Sequence, residues 1–282
     1  SGRFNCAFES HSLLTSMEAV VYDRSRWEPP GVLWAHGTNS HARVKEALQT
    51  CVHFLEADIL LSTSGVPIMA HPPSTHSDLT LADFLQITAE HNVRSPRAAV
   101  AIKLDFKDPD AVVPSLKLLR ASSFWASSDQ RPPVWLNADV LSGPGNRPPL
   151  FKADNFIQTC LQQRPNDTLS LGWTVNTADA RVIREGYRAD HVEEMVSLCQ
   201  THALQNVTFA VHSLLAHQST QHVERLLNYD AACSITFWGV ADHSVHQWLV
   251  TLDAQRTYRD TNIPGWLEWL GILSARVLGF LR

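Results

Sequence analysis

The chain has 282 residues, 44% hydrophobic and 18% charged, with a formal net charge of −5. That is ordinary globular composition with enough apolar residues for a sizeable core. No basic footprint for a nucleic-acid backbone is present, so a polyanion partner is disfavoured, while a small phosphodiester is not, because local charge decides that.

Residues 1–30 read as a helical or irregular prelude closed by Pro29-Pro30. From Gly31 to about Asp260, short β-rich runs recur: GVLWA, HFLEADIL, AAVAIKLDF, PVWLNADV, TLSLGWTV, VTFAVHS, SITFWGV and TYRD. Helix-like stretches separate them, centred on 42–49, 79–91, 111–120, 153–163, 190–202, 219–228 and 245–254. This alternation predicts one α/β domain over 31–262, a single parallel (β/α)8 TIM barrel. An open doubly wound sheet shares the rhythm, but no GxGxxG or GxxxxGK[ST] loop follows a strand. The segments STHSD after His71 and SGPGNRPP after the fourth strand lie where βα loops build the active-site face.

The tail, residues 263–282, places Trp266, Trp269, Leu270, Leu273, Val277 and Leu281 at helical spacing. It reads as a helix packed on the barrel. Membrane association is the alternative, for which Glu268 and Arg276 supply little cationic character. No apolar run reaches the ~18 residues of a membrane span. Ser1 rather than Met opens the chain, so a leader or anchor ahead of it stays open. The five cysteines, Cys6, Cys51, Cys160, Cys199 and Cys233, show no CxxC pair and are expected to be buried free thiols. Sequons at Asn166 and Asn206 precede the fifth and sixth strands. They keep a secreted or cell-surface location in view without excluding the cytoplasm.

Chemistry concentrates between His36 and His71. Glu56 and Asp58 are two apart on a strand and therefore share a face. Asp105 ends the next strand, and strand ends converge at a barrel mouth. Three carboxylates there would take up protons unless a cation balances them. Oxygen ligands suit Mg²⁺ or Ca²⁺ better than zinc. The competing reading, at even weight, is a set of salt bridges to Lys103 and Lys107. His36 and His71 suit proton transfer on the two sides of a phosphodiester, with Lys107 neutralising charge on phosphorus. Asn137 shares a face with Asp139 and is a candidate for a substrate oxygen or for holding the strand end. Asn39, Lys103, Trp173 and Trp238 complete the expected substrate wall.

The order His36, Glu56, Asp58, His71, Asp105, Lys107 resembles the glycerophosphodiester phosphodiesterase superfamily, with its PLC-like phosphodiesterases. ITFWGV resembles that group's aromatic strand and places Trp238 at the pocket wall. Within it, AHGTNS, LEADILL, PIMAHPPSTHSDLTL, IKLDFK, VWLNADVL, SLGWTV, VTFAV and ITFW resemble the menorin family. The resemblance implies a PLC-like TIM barrel, with Glu56, Asp58 and Asp105 as metal ligands and His36 and His71 as the acid/base pair. Four positions depart from the patterns: Gly37-Thr38 replaces Arg-Gly, Pro72 replaces Asp, and His212 stands where the family carries Arg. The favoured expectation is a metal-dependent phosphodiesterase acting on a glycerophosphodiester or lysophospholipid. The alternative is an inactive barrel binding a ligand or a protein partner in cell-surface or extracellular signalling. Carboxylates bridged to Lys103 and Lys107 would favour that alternative.

Overall fold

The computed structural model describes residues 22–126, 131–239 and 241–261. Its strands are β1 (Trp34–Ala35), β2 (Phe54–Leu61), β3 (Pro67–Met69), β4 (Ala101–Phe106) and β5 (Val134–Ser142). They continue as β6 (Thr168–Thr174), β7 (Val207–His212), β8 (Ser234–Gly239) and β9 (Thr257–Thr261). Eight pair in parallel in the order β1-β2-β4-β5-β6-β7-β8-β9, and β3 turns back antiparallel on β2. β1 lies beside β9, so the barrel is nearly closed. Among the described residues, no backbone ladder joins that seam.

Helices α1 (His41–Leu48), α2 (Leu81–Arg94), α3 (Val112–Ala121), α4 (Ala153–Gln163) and α5 (Ala180–Glu185) cover the outside. α6 (Ala189–Thr201), α7 (Ser213–His217), α8 (Thr220–Leu227) and α9 (His243–Leu249) complete the ring. Ser40, Thr80 and Asp242 start three of them by accepting from the backbone N–H of Arg43, Asp83 and Val245. α2 buries Leu81, Phe84, Leu85, Thr88 and Asn92, the stripe of a helix with one inward face. All eight parallel strands and seven of the helices fall where the alternation predicts them. α5 and α7, of six and five residues, are too short to leave a periodic signal.

Period two divides every strand. Leu55, Ala57, Ile59, Ile102, Leu104, Leu136, Leu169, Leu171, Phe209 and Phe237 face the helices and form the main core. The alternate positions face the barrel axis. At the lower end they are aromatic: Trp34, Phe54, Trp135 and Tyr258 form a floor with Trp27. Trp34 and Phe54 stack at 4.2 Å, and Trp135 meets Tyr258 edge-on at 4.8 Å. Trp27, in a short turn (Arg24–Trp27) at the end of the prelude, plugs this floor from below. Its carbonyl accepts from the Tyr258 hydroxyl at 3.2 Å.

Above the floor the inward positions become polar, and there the candidate site begins. The two sequons lie on exposed residues before β6 and β7, at the opposite end. Cys160, Cys199 and Cys233 are free and buried, as expected. Cys51 departs from that expectation because it is disulfide-bonded. Residues 1–21 of the prelude and the whole tail 263–282 lie outside the described residues.

Candidate active site

The parallel register sets the polar layer. Glu56 pairs with Lys103, Asp58 with Asp105, Asp105 with Asn137, and Asn137 with Ser170. Successive strands therefore place their inward side chains side by side, and short polar groups meet directly. Glu56, Asp58 and Asp105 are all buried. Each offers an oxygen within 4.8 Å of the others.

Their supports are specific. Asn39 donates to Asp58 Oδ2 at 2.7 Å and accepts from the Asp58 backbone N–H at 2.8 Å. Asn137 donates to Asp105 Oδ1 at 2.8 Å and accepts from Ser170 at 2.6 Å. Lys107 Nζ donates to Asp105 at 2.7 Å and lies 3.4 Å from Asp58. Glu56 Oε2 accepts from the Gly37 backbone N–H at 2.7 Å. Thr38 ties the same loop to the Glu56 carbonyl through both its N–H and its hydroxyl. Gly37-Thr38 thus anchors Glu56. Glu56 Oε1, in contrast, is buried with no hydrogen-bond partner. A buried carboxylate oxygen without a donor is costly, and a cation there removes the cost. An all-oxygen donor set with one orphaned atom fits a hard divalent ion.

His36 enters from β1. Its Nδ1 lies 3.0 Å from Asp260 Oδ1 and 3.3 Å from Glu56 Oε2. Asp260, on β9, also accepts from Lys103 at 3.2 Å. Lys103 in turn sits over the Trp34 ring, 5.8 Å from its centroid. This chain of side chains crosses the β1–β9 seam where backbone pairing is absent. Burial alone would lower the His36 pKa, but Glu56 and Asp260 outweigh it and hold the imidazole at about 10. Burial raises Glu56 to about 7, with Asp58 adding repulsion against the pull of His36 and Lys103. Asp260 resists burial because Lys103 and His36 hold it at about 2.

His71 follows the β3 hairpin onto the opposite rim, where it is exposed. Its Nδ1 is 2.6 Å from the Pro72 carbonyl oxygen, which only accepts, so Nδ1 carries a proton and Nε2 is the nitrogen left for a ligand. The Pro72 carbonyl thus orients the His71 ring. A cavity of about 440 Å³ joins His36, His71, Asp58, Lys103, Asp105 and Lys107 to Asn137 and Trp238. Asp139 and Arg147 line it too. Burial pushes Asp139 up to about 6, with Asp105 adding to the shift and Lys107 opposing it.

His36, His71, Asp58 and Asp105 therefore line one mouth, and Glu56 lies buried beside them with an oxygen within 4.8 Å of those of Asp58 and Asp105. The expected substrate wall is redrawn. Trp173 is a correction: Ser170 and Gly172 take the inward positions of β6, so Trp173 points outward. It is buried, and its indole N–H donates to the His191 carbonyl. Asn39 and Asn137 spend their amides on Asp58 and Asp105, and Lys103 spends its charge on Asp260. Trp238 stays at the cavity. His212 is buried edge-on against the Trp238 ring at 4.7 Å. Burial lowers its pKa to about 4, so it carries no charge for a phosphate at neutral pH. Asp260 was not among the predicted site residues, although its place at the end of the last strand follows the same rule as Asp105.

Two kinds of relative match this chain. Its fold is shared with crystal structures of a putative glycerophosphoryl diester phosphodiesterase from Silicibacter pomeroyi and a phosphodiesterase from Oleispira antarctica in complex with sn-glycerol-3-phosphate. The first aligns with a TM-score of 0.51 at 12% identity, covering 86% of this chain and 95% of its own. The second aligns with a TM-score of 0.52 at 13% identity, covering 82% and 93%. Protein FAM151B of Homo sapiens is 37% identical over 211 residues, 73% of this chain and 72% of that protein. The family model for the Menorin N-terminal domain matches residues 30–263, and the chain belongs to the menorin family.

Proposed function

We propose that the barrel mouth is a metal-dependent phosphodiesterase site for a glycerophosphodiester or lysophospholipid. The observation that carries this reading is the convergence of three carboxylate oxygens within 4.8 Å beside His36, one Glu56 oxygen being orphaned. Glu56, Asp58 and Asp105 would hold a divalent cation, Mg²⁺ or Ca²⁺, which would supply Lewis acidity at the site. The protein's own residues do the rest. Asp260 holds His36 by Nδ1, which leaves Nε2 free to serve as the proton donor to the leaving alcohol. His71 presents its Nε2 lone pair from the opposite rim as the base that activates a water or a neighbouring substrate hydroxyl. Lys107 adds positive charge beside the phosphoryl oxygens.

The test is turnover of a panel of glycerophosphodiesters and lysophospholipids with Mg²⁺ or Ca²⁺. Loss in His36→Ala and in His71→Ala is expected. Absence of any turnover sensitive to either change would sink the reading.

A second reading has one observation in its favour. Lys107 bridges Asp105 and Asp58, so two of the three carboxylates already have a cationic partner. On that reading the mouth is a ligand- or protein-binding surface. Calorimetry with Mg²⁺ and Ca²⁺ separates the two, because a binding module of this kind takes up neither ion.

A further inference from the structure

One wall of the mouth is left over after the phosphodiesterase parts are assigned. Asp139 is the last inward side chain before the irregularity in β5, where pairing shifts between Asp139 and Leu141. Its register partner on β6 is Gly172, and a Cβ there would lie 2.4 Å from Asp139 Oδ1. The carboxylate uses the space that the glycine leaves. Among the described residues it accepts no hydrogen bond and has no cation within 4.0 Å. Lys107, the cation that pulls on it, is bonded to Asp105 and Asp58 instead.

Arg147 stands on the loop that follows the same strand. That loop is tied down: Gly143 N–H donates to the Thr174 carbonyl and Asn176 N–H to that of Pro144, both at 3.0 Å. The Thr174 hydroxyl donates to the Arg147 carbonyl. A Cβ on Gly143 would sit 2.6 Å from Trp173 Cβ, so the sequence permits this close docking. The guanidinium is exposed, and its one side-chain bond is a long 3.4 Å contact to Asn176. Among the described residues it forms no ion pair.

An acid and a base thus line one cavity, bonded neither to each other nor, in the case of Asp139, to Lys107, which is the cation that attracts it. Their natural complement is a group carrying both signs. We propose that Asp139 and Arg147 form a headgroup subsite for an amino-acid-like zwitterion. Asp139 takes the ammonium, and the planar fork of Arg147 takes the carboxylate. Resting on the phosphodiesterase reading, this names the substrate class as phosphodiesters of a serine-like alcohol.

The test uses three matched probes. O-phosphoserine carries both charges, O-phosphoethanolamine lacks the carboxylate, and sn-glycerol 3-phosphate lacks both. Calorimetry with Mg²⁺ present is expected to rank them in that order, each step about tenfold in Kd, the size of one charge-assisted contact. Arg147→Gln collapses the ratio of phosphoserine to phosphoethanolamine towards one. Asp139→Asn collapses the ratio of phosphoethanolamine to glycerol 3-phosphate. Both are near-isosteric or exposed changes, so folding does not confound them.

Equal weakening of all three probes by Arg147→Gln marks a plain phosphate clamp and overturns the subsite. A wild-type protein without preference also overturns it. Turnover of the glycerol diesters of serine, ethanolamine and glycerol runs in parallel. If none is cleaved while the ranking and its two collapses hold, the phosphodiesterase reading fails and the subsite stands.

Discussion

Asp260 shows how much one side chain can hold. It binds His36 and Lys103 together and is fully buried. Asp260→Asn keeps the shape but removes the charge, so His36 loses the partner that fixes its Nδ1 proton. A fall in kcat of about 10²–10⁴-fold is expected with little change in KM, the range for a mis-set acid or base. The same change leaves the buried Lys103 without its bonded counter-charge, only Glu56 and Asp105 still acting on it, and stability should fall by roughly 3–5 kcal/mol in urea unfolding. A variant with normal kcat would remove His36 from the acid role.

His212 makes a pH prediction. Burial holds its folded pKa at about 4, below the ordinary 6.5. Between those values the unfolded chain binds a proton that the folded chain refuses, so stability is present in full above pH 6.5. It is lost as pH falls through that window towards 4, by up to about 3 kcal/mol from this one group. His212→Gln should flatten that part of the stability–pH curve relative to the wild type. Parallel curves would show that the fold does not lower the His212 pKa.

At the scale of elements, the barrel is held at its floor and along its outside. Phe54 stacks on Trp34 and packs 4.8 Å from Trp135. Phe54→Ala should therefore cost about 3–5 kcal/mol, the usual range for a fully buried phenylalanine, read as a lower Tm. The end of α4 is joined to the start of β6 by ions rather than rings. Asp167 is buried between Arg131 and Arg164, bonded to Arg164 Nε at 2.6 Å. Asp167→Ala strands two buried guanidinium groups and should cost about 3–5 kcal/mol or more. If chemical unfolding detects less than about 1 kcal/mol, water reaches those groups in solution.

For the whole molecule, an ion at Glu56, Asp58 and Asp105 would link binding to folding, because these residues come from two strands, β2 and β4. An ion bound only by the assembled mouth stabilises the fold by RT ln(1 + [L]/Kd), about 2.7 kcal/mol at a hundredfold excess over Kd. Mg²⁺ or Ca²⁺ should therefore raise Tm in a concentration-dependent way. The rise should vanish in Asp58→Asn, whose scaffold role through Asn39 is largely preserved. An equal rise in that variant would place the ion elsewhere.

Much of this architecture is local and so was legible in the chain itself. Alternation with period two within runs, and the spacing of runs and helices, are local consequences of burying one face of each element. They specify eight parallel strands, and with them the strand ends that carry His36, Glu56, Asp58 and Asp105. Register is not local. Only the folded barrel shows that Asn39 and Asn137 spend their amides on metal-ligand candidates, and that Trp173 falls on the outward side of β6. Only closure brings Asp260 to His36, 224 residues apart in sequence. Sequence determined which residues stand at the mouth. Which of them are spent on one another and which stay open to a ligand is a matter of distances between strands, decided when the sheet curves back on itself.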